Sequence, residues 1–337
     1  MAQAQGINSY MAFQKETAFG TDPQTPNARK LYFSSEDIKL SRPLESIDMF
    51  GVPASNPANI SGRDTHRVAA GKVDVSGGIK THLQANQLGN LIYGGMGTVN
   101  TTNNNGIRTH VIEFGQVLPS YVVEVAHPDI TLYKHLNGAM VNKLTFNFKQ
   151  SGFDEVAIDL MGASCVYNSS VWDATLVDLG YSPFSSENSI NLLEIAGVPY
   201  AYITELSFSI DNQLDGDTHV IGGGIGSPRK WICHSIARVS GSVKALFVNS
   251  VLYARALGHT ATSISVVRAR GTGDGSLNNE QIQFYLQKCY LSPKSPAVTG
   301  PKGILAEFDF EGVENITQDP SSSLVVTLVN TESALTG

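Results

Sequence analysis

Residues 75–80 read Val-Ser-Gly-Gly-Ile-Lys, and residues 239–244 read Val-Ser-Gly-Ser-Val-Lys. The two stretches lie 239 − 75 = 164 positions apart, and the same offset carries Gly94 onto Gly258. A repeat that also carries its flanking positions indicates that one supersecondary unit occurs twice in the chain. This pair of stretches therefore determines how the rest of the sequence is interpreted.

A second match follows in the same order. Residues 158–162 read Ile-Asp-Leu-Met-Gly and residues 308–312 read Phe-Asp-Phe-Glu-Gly, at an offset of 308 − 158 = 150. Ile158 and Leu160, like Phe308 and Phe310, are apolar residues separated by an aspartate, as in strands with one buried face. Two ordered matches favour duplication of one fold over a chance recurrence among strands, and the change of offset requires a length difference between them.

The dominant period of the chain is two. Residues 143–149 (Lys-Leu-Thr-Phe-Asn-Phe-Lys) and 205–211 (Glu-Leu-Ser-Phe-Ser-Ile-Asp) alternate between polar and apolar side chains. This pattern is typical of half-buried strands, and it recurs along both halves of the sequence. The sequence therefore predicts a mainly β protein.

Two short helices are predicted, at Asn86–Tyr93 and Ser250–Leu257, each followed by a glycine suited to a left-handed C-cap. The helices occupy matching places in the two halves. Polar, turn-forming residues between positions 165 and 190 indicate a boundary. We therefore predict two tandem, duplicated domains, 1–175 and 176–337, each a β-barrel or β-sandwich with one short α-helix.

Composition excludes several classes of function. The chain has 337 residues, a formal charge of −7 and a pI near 5.6, which argues against a surface that grips phosphates. No apolar run approaches the length of a membrane span. The N-terminus lacks the basic start and apolar stretch of a secretory signal, so we expect the protein to be made and kept in a cytoplasm.

No motif predicts catalysis or a bound cofactor. The glycine-rich stretches 222–226 and 271–275 lack the strand before and the helix after that a phosphate-binding loop requires. The eight histidines show no H-E-x-x-H spacing, the three cysteines form no C-x-x-C pair, and there is no G-x-S-x-G stretch. We expect a protein that is not an enzyme and that carries no cofactor or metal.

Several stretches are similar to the major tail tube proteins of siphophages. They are residues 6–17 with 19–21, 118–121, 271–275, 292–296 and 300–303. The resemblance spans nearly the whole chain and depends on the order of the stretches, since none of them has the specificity of a metal-binding motif. It implies a β-barrel flanked by a helix, rings stacked into a hollow tube, and a long loop or hairpin that contacts the neighbouring ring.

The resemblance also implies partners and a location. The chain would assemble with itself and with other tail proteins, such as the tape measure and tail terminator proteins, in a virion tail built in the host bacterial cytoplasm. DNA would pass through the tube during ejection without specific binding, and no membrane would be involved. The alternative is a phage receptor-binding or carbohydrate-binding β-protein, for which Trp172 and Trp231, the two tryptophans, offer little aromatic surface.

Ring stoichiometry follows from the repeat and the resemblance together. Tail tube proteins of this family present six copies of a barrel around the channel, so a chain with two copies would close a ring of three subunits with pseudo-sixfold symmetry. The alternative is a ring of six whole chains, in which the second half decorates the outside of the tube.

Two sets of surface residues are candidates for this function. The long excursions at residues 42–71 and 212–236 occupy matching places and are predicted to be arms that contact the next ring. The arm candidates are Arg42, Phe50, Arg63, Asp215, Arg229 and Trp231. The candidates for a lumen-facing acidic surface are Glu155, Asp159, Glu307, Asp309 and Glu311, with a solvated outer face as the alternative.

Overall fold

The computed structural model describes residues 3–47, 67–186, 189–199, 202–221, 228–248, 250–294, 303–333 and 335. The described residues are mainly β, as predicted, with 51% strand and two α-helices. The N-terminal half contains β1 (Tyr10–Lys15), β2 (Arg29–Leu31), β3 (Ser35–Glu36), β4 (Lys39–Ser41), β5 (Leu44–Ile47), β6 (Arg67–Ala70), β7 (Asp74–His82), α1 (Ala85–Met96), β8 (Gly97–Asn104), β9 (Ile107–Phe114), β10 (Tyr121–His127), β11 (Leu132–Lys149), β12 (Glu155–Gly162) and β13 (Ser164–Asn168).

The C-terminal half has fewer elements. They are β14 (Ser189–Ile195), β15 (Val198–Pro199), β16 (Ile203–Asp211), β17 (Arg238–Leu246), α2 (Val251–Leu257), β18 (Thr262–Arg270), β19 (Gln281–Pro293), β20 (Leu305–Gly312) and β21 (Val325–Asn330). The predicted strands at 143–149 and 205–211 lie within β11 and β16. Both predicted helices are also present, as α1 and α2.

The end predicted for the first helix is wrong, whereas α2 ends at Leu257 as predicted, without a left-handed cap. Helix α1 continues through Gly94 and ends at Met96; its capping residue Gly97 has a left-handed φ of 96°, while Gly258 after α2 has a φ of −77°. Gly94 serves close packing instead, because a Cβ there would lie 2.8 Å from the ring of Tyr121. The side-chain hydroxyl of Tyr121 also donates a hydrogen bond to the Asn90 carbonyl in α1, at 2.7 Å.

Eight strands form one continuous antiparallel layer. Their order is β4, β7, β12, β11, β16, β17, β20 and β19. The first four strands come from the N-terminal half and the last four from the C-terminal half. The two halves therefore meet inside this layer, where β11 pairs with β16.

A second layer is reached through the two longest strands. Residues 132–139 of β11 pair with β10 and β13, whereas residues 140–147 pair with β12. Strand β19 pairs with β18 and β21 along its first part and with β20 at its end. The halves also interlock here, because β9 of the N-terminal half pairs with β21 of the C-terminal half.

The hydrophobic core contains side chains from both layers and both halves. Ile79 and Ile158 contribute from the N-terminal half, and Val243 and Phe308 from the C-terminal half. Helix α1 is almost wholly buried and contacts β9, β11 and β21. Among the described residues no sheet closes into a barrel, so the barrel form of the predicted domains is not found.

The repeated stretches occupy matching places in the strand pairing. Ile79 lies opposite Ile158, and Val243, 164 positions after Ile79, lies opposite Phe308, 150 positions after Ile158. The strand neighbours correspond as well: β7 lies between β4 and β12, and β17 lies between β16 and β20. The two sequence offsets thus translate into one strand register that occurs twice.

Candidate assembly and channel surfaces

The five predicted carboxylates lie on one side of the eight-stranded layer, which we call the polar face. They are Glu155 and Asp159 on β12, and Glu307, Asp309 and Glu311 on β20. Their neighbours in sequence, such as Val156, Ile158, Phe308 and Phe310, are buried on the other side. The alternation noted in the sequence therefore corresponds to a wet face and a core face.

A single row of opposite residues proves that the two carboxylate groups share this face. The row crosses five neighbouring strands, and each residue lies opposite the next: Glu155, Asn147, Ser207, Ser242 and Asp309. Opposite residues of antiparallel strands point to the same side of a sheet. Glu155 and Asp309 are thus four strand spacings apart on one surface, or roughly 19 Å.

Lysines compensate most of these carboxylates. The Lys149 ammonium lies 3.1 Å from Glu155, and the Lys294 ammonium lies 2.8 Å from Asp309 and 3.3 Å from Glu307. Such exposed pairs add little stability, but they remove uncompensated charge from the surface. The polar face therefore carries both signs of charge, which the carboxylate pattern alone did not predict.

The surroundings of Asp159 shift its pKa. Burial raises the pKa of Asp159 above its usual range, the Lys143 ammonium directly opposite lowers it, and Asp37 and Asp211 raise it further. Asp159 lies beside Gly78 on β7, and its side chain remains exposed on the polar face.

Both predicted arms leave the eight-stranded layer at the same rim. The first arm joins β4 to β7 and the second joins β16 to β17; β4 and β16 run in the same direction because four antiparallel steps separate them. The pair β5 and β6 forms the base of the first arm, where Arg42 donates from Nε to the Gly71 carbonyl at 3.3 Å. Phe50 and Arg63 lie outside the described residues.

Arg229 fastens the second arm to the N-terminal half. Its guanidinium donates to the carbonyls of Val75 (3.1 Å) and Gly162 (2.7 Å) and pairs with Asp74 at 2.8 Å, and the residue is 8% exposed. A buried guanidinium satisfied by backbone carbonyls and a carboxylate is an anchor. Among the arm candidates, Arg229 therefore positions the arm and does not itself offer a contact surface.

The exposed part of the second arm contains Asp215 and Trp231. The indole of Trp231 is half exposed and rests against the ring of Phe19, with the ring centroids 5.0 Å apart. The bases of the two arms also meet, because Lys72 pairs with Asp217 at 3.0 Å. The structure thus brings the bases of both arms together at one rim of the eight-stranded layer.

The junction between the halves was missed by the sequence analysis. Phe146 on β11 lies opposite Phe208 on β16, with ring centroids 5.1 Å apart, and Phe284 lies 4.7 Å from Phe146. At the edge of this cluster the buried Arg268 donates from Nε to Asp154 at 2.7 Å. The available signal was the alternating phenylalanines at 146 and 208, which predict strands but not which strands pair.

The remaining chemistry of the described residues concerns metal ligands, membrane-spanning helices and cysteine thiols. Within them no three potential ligands cluster around a metal site, and no helix is long and apolar enough to cross a membrane. Burial raises the pKa of the Cys165 thiol to about 11 and that of the Cys289 thiol to about 12. Both thiols therefore stay protonated near neutral pH and are poor nucleophiles.

Comparison with known proteins connects these surfaces to a family. No curated protein matches the chain. The sequence profile described as phage tail tube protein matches residues 6–312, which is 312 − 6 + 1 = 307 of the 337 residues. The match includes the polar face, the junction and the bases of both arms, and it confirms the resemblance noted in the sequence. The chain belongs to the phage tail tube protein family.

Proposed function

We propose that three copies of the chain close into a ring, that the polar faces line a channel, and that the rings stack into the tube through which DNA passes. Family membership makes the protein a structural component of a phage virion tail. The ring, its stoichiometry and the channel are proposals that go beyond family membership. The observation that carries them is the eight-stranded layer, in which two matching four-stranded units already stand side by side.

Duplication of one domain is part of this proposal. The two halves share sequence matches at ordered offsets, and those matches occupy the same strand register. In a closed cyclic ring the contact between units is heterologous, so a chain with two units alternates between an intrachain junction and an interchain one. The alternative, a ring of six chains with the second half outside, would leave β16, β17, β20 and β19 without a reason to continue the same layer.

We expect images of assembled tubes to show threefold features in a near-sixfold wall. Two unlike copies of the domain per chain produce this pattern, because the divergent units alternate around the axis. Cryo-electron microscopy with symmetry refinement measures it directly, and the same map should show the arm residues Asp215 and Trp231 between successive rings. A wall that refines to true sixfold symmetry with six chains per ring would overturn the duplication, and arms remote from the next ring would overturn their assigned role.

The polar face is proposed to be the channel wall. Double-stranded DNA is held by clustered Lys and Arg that release counterions, so a conduit should offer few uncompensated cations. On this face, lysines lie beside carboxylates, and serines occupy the row between the charged positions. Such a surface is hydrated and has little net attraction for a polyanion.

Replacing Asp159 and Asp309 with lysine should leave tubes intact and hinder DNA ejection. Each substitution places a second cation beside Lys143 or Lys294, which creates the cationic clusters that bind phosphates. Ejection is measured as DNA release from purified phage after receptor addition. The matched control is Glu113→Lys with Glu194→Lys, which makes the same change of charge on the second layer. Unchanged ejection with normal tubes would remove the channel assignment.

The remaining parts of the proposal follow from the family alone. The tube is expected to contact the tape measure and tail terminator proteins and to assemble in the host bacterial cytoplasm. Mass spectrometry of purified tails, and recovery of tubes from the cytosol of expressing cells, provide the check. Tails that lack either partner would contradict this part without affecting the ring.

A further inference from the structure

The outer edge of the N-terminal unit is closed by side chains. The Ile38 N–H donates to Glu36 Oε2 at 2.9 Å, and the Ile38 carbonyl accepts from Lys134 Nζ at 2.7 Å. Lys134 and Glu36 pair at 3.0 Å, with their side chains 8% and 18% exposed. Within the described residues, β3 and β4 have β7 as their strand partner and no strand on the other side. The ion pair thus satisfies the backbone at an unpaired sheet edge.

The matching place in the C-terminal unit is occupied by the junction. Glu36 lies opposite Ile79 and Leu206 lies opposite Val243, so Leu206 and Phe208 correspond to Glu36 and Ile38. At this place Phe208 is covered by Phe146 of the N-terminal unit. The edge of β16 in the C-terminal unit is therefore paired with a strand, whereas the corresponding β3–β4 edge of the N-terminal unit is closed by the side chains of Glu36 and Lys134.

Lys134 corresponds to an aromatic residue of the same junction. It lies opposite Val125 of β10, whereas Phe284, 284 − 134 = 150 positions later, lies opposite Val266 of β18. Phe284 contacts Phe146 at 4.7 Å. The surface of the C-terminal unit that receives the β11–β12 hairpin is thus apolar, with Phe208 and Phe284. The corresponding surface of the N-terminal unit contains the buried Glu36–Lys134 ion pair.

A groove of about 1180 Å³ continues from this edge. It is lined by residues 6–10 and 30–36, and by His127 and Tyr133. His127 follows Val125 by two positions, as Arg268 follows Val266, and Arg268 is the residue on which the β11–β12 connection rests through Asp154. The groove on the N-terminal unit therefore corresponds to the place where the C-terminal unit receives the β11–β12 hairpin.

We propose that this groove and the β3–β4 edge receive the β19–β20 hairpin of a second copy of the chain, and that the Glu36–Lys134 pair is a latch that opens on docking. The inference rests on the proposed ring and names the surface that closes it. In the described part of the chain, residues 290–293 of β19 pair with β20 on one side and have no strand on the other, and this edge is the counterpart of the β11 edge that pairs with β16. Because an opened ion pair must be resolvated or repartnered, the latch disfavours docking at low concentration.

The register of the internal junction predicts which residues meet. Lys143 lies opposite Asp211, and their counterparts are Ser292 and Ser41. Opposite Cα atoms of antiparallel strands lie about 4.5–5.5 Å apart, within disulfide range. In a Cys233→Ser background, Ser41→Cys chains mixed with Ser292→Cys chains should form a disulfide-linked pair under mild oxidation. Neither variant alone should do so. Equal linkage in a single variant, or none in the mixture, would overturn this partner.

The latch is tested with Glu36→Leu combined with Lys134→Met, which keeps the side-chain volume and removes both charges. The variant should fold, as judged by circular dichroism, and should self-associate in sedimentation at a concentration about tenfold lower than the wild type. The control is Arg270→Met with Glu280→Leu, which removes a partly buried pair between the end of β18 and the residue before β19. Glu36→Gln, a smaller perturbation, should shift association in the same direction if the double variant does not fold.

The outcomes separate the latch from the tube. If the variant associates at a lower concentration than the wild type and forms hollow tubes, both proposals are supported. If the variant associates at a lower concentration but electron microscopy shows solid particles for both proteins, the latch is supported and the tube is overturned. A folded variant that associates at the wild-type concentration, at a higher one, or not at all overturns the latch.

Discussion

Replacing Phe146 with alanine is expected to lower the free energy of unfolding by about 3–5 kcal/mol, the range for a buried phenylalanine truncated in a core. Its side chain is fully buried and contacts Phe208 and Phe284 across the junction between the halves. The cavity therefore opens where two units share one core. We expect a single unfolding transition that moves as a whole, because both halves lose the same contact.

Urea unfolding followed by circular dichroism and by intrinsic fluorescence measures this effect. The control is Phe153→Ala, which truncates a phenylalanine that is 48% exposed and should change stability by a small fraction of that amount. Two separated transitions in the wild type would show that the halves unfold independently. A loss below about 1 kcal/mol in Phe146→Ala would show that the junction contributes little.

Removing the buried carboxylate of Asp154 is expected to have an effect of similar size. Asp154→Ala leaves the Arg268 guanidinium buried without its partner, and such unpaired charges cost about 3–5 kcal/mol. Burial raises the pKa of Asp154 above its usual range, although the hydrogen bond and the charge of Arg268 both lower it. Desolvation therefore outweighs the attraction within this pair.

That balance predicts the result of removing both charges. Asp154→Leu combined with Arg268→Met should restore most of the stability lost in Asp154→Ala, because no desolvated charge remains and Phe148 keeps an apolar neighbour. Thermal unfolding of the two variants beside the wild type provides the comparison. A double variant as unstable as Asp154→Ala would show that the pair itself stabilises the junction.

Alternation identified the strands but not their partners. Residues 143–149 and 205–211 were predicted correctly because a period of two is a local property of the chain. Their pairing with each other joins residues more than 50 positions apart, and no local pattern encodes it. The double membership of β11 in two layers was hidden for the same reason: the change of partners depends on strands that lie elsewhere in the chain.

The candidate surfaces were predicted in part. Alternation placed Asp159 and Asp309 on one exposed face, but the lysines that pair with the carboxylates lie on other strands and became neighbours only through folding. Gly94 was assigned to a helix end because glycine favours a left-handed C-cap, whereas packing against Tyr121 kept it inside α1. The Glu36–Lys134 pair joins residues 98 positions apart, so the sequence offered no sign of it.

The interlocked strand β9 has a consequence for the newly made chain. Its partner β21 begins at Val325, 325 − 114 = 211 residues after β9 ends at Phe114. At a translation rate of about 5–20 residues per second, β9 waits roughly 10–40 s for the strand that covers it. During this interval each nascent chain exposes an unpaired strand edge that can pair with another chain. Other nascent chains on the same messenger RNA expose the same edge, and the spacing of the ribosomes sets their local concentration.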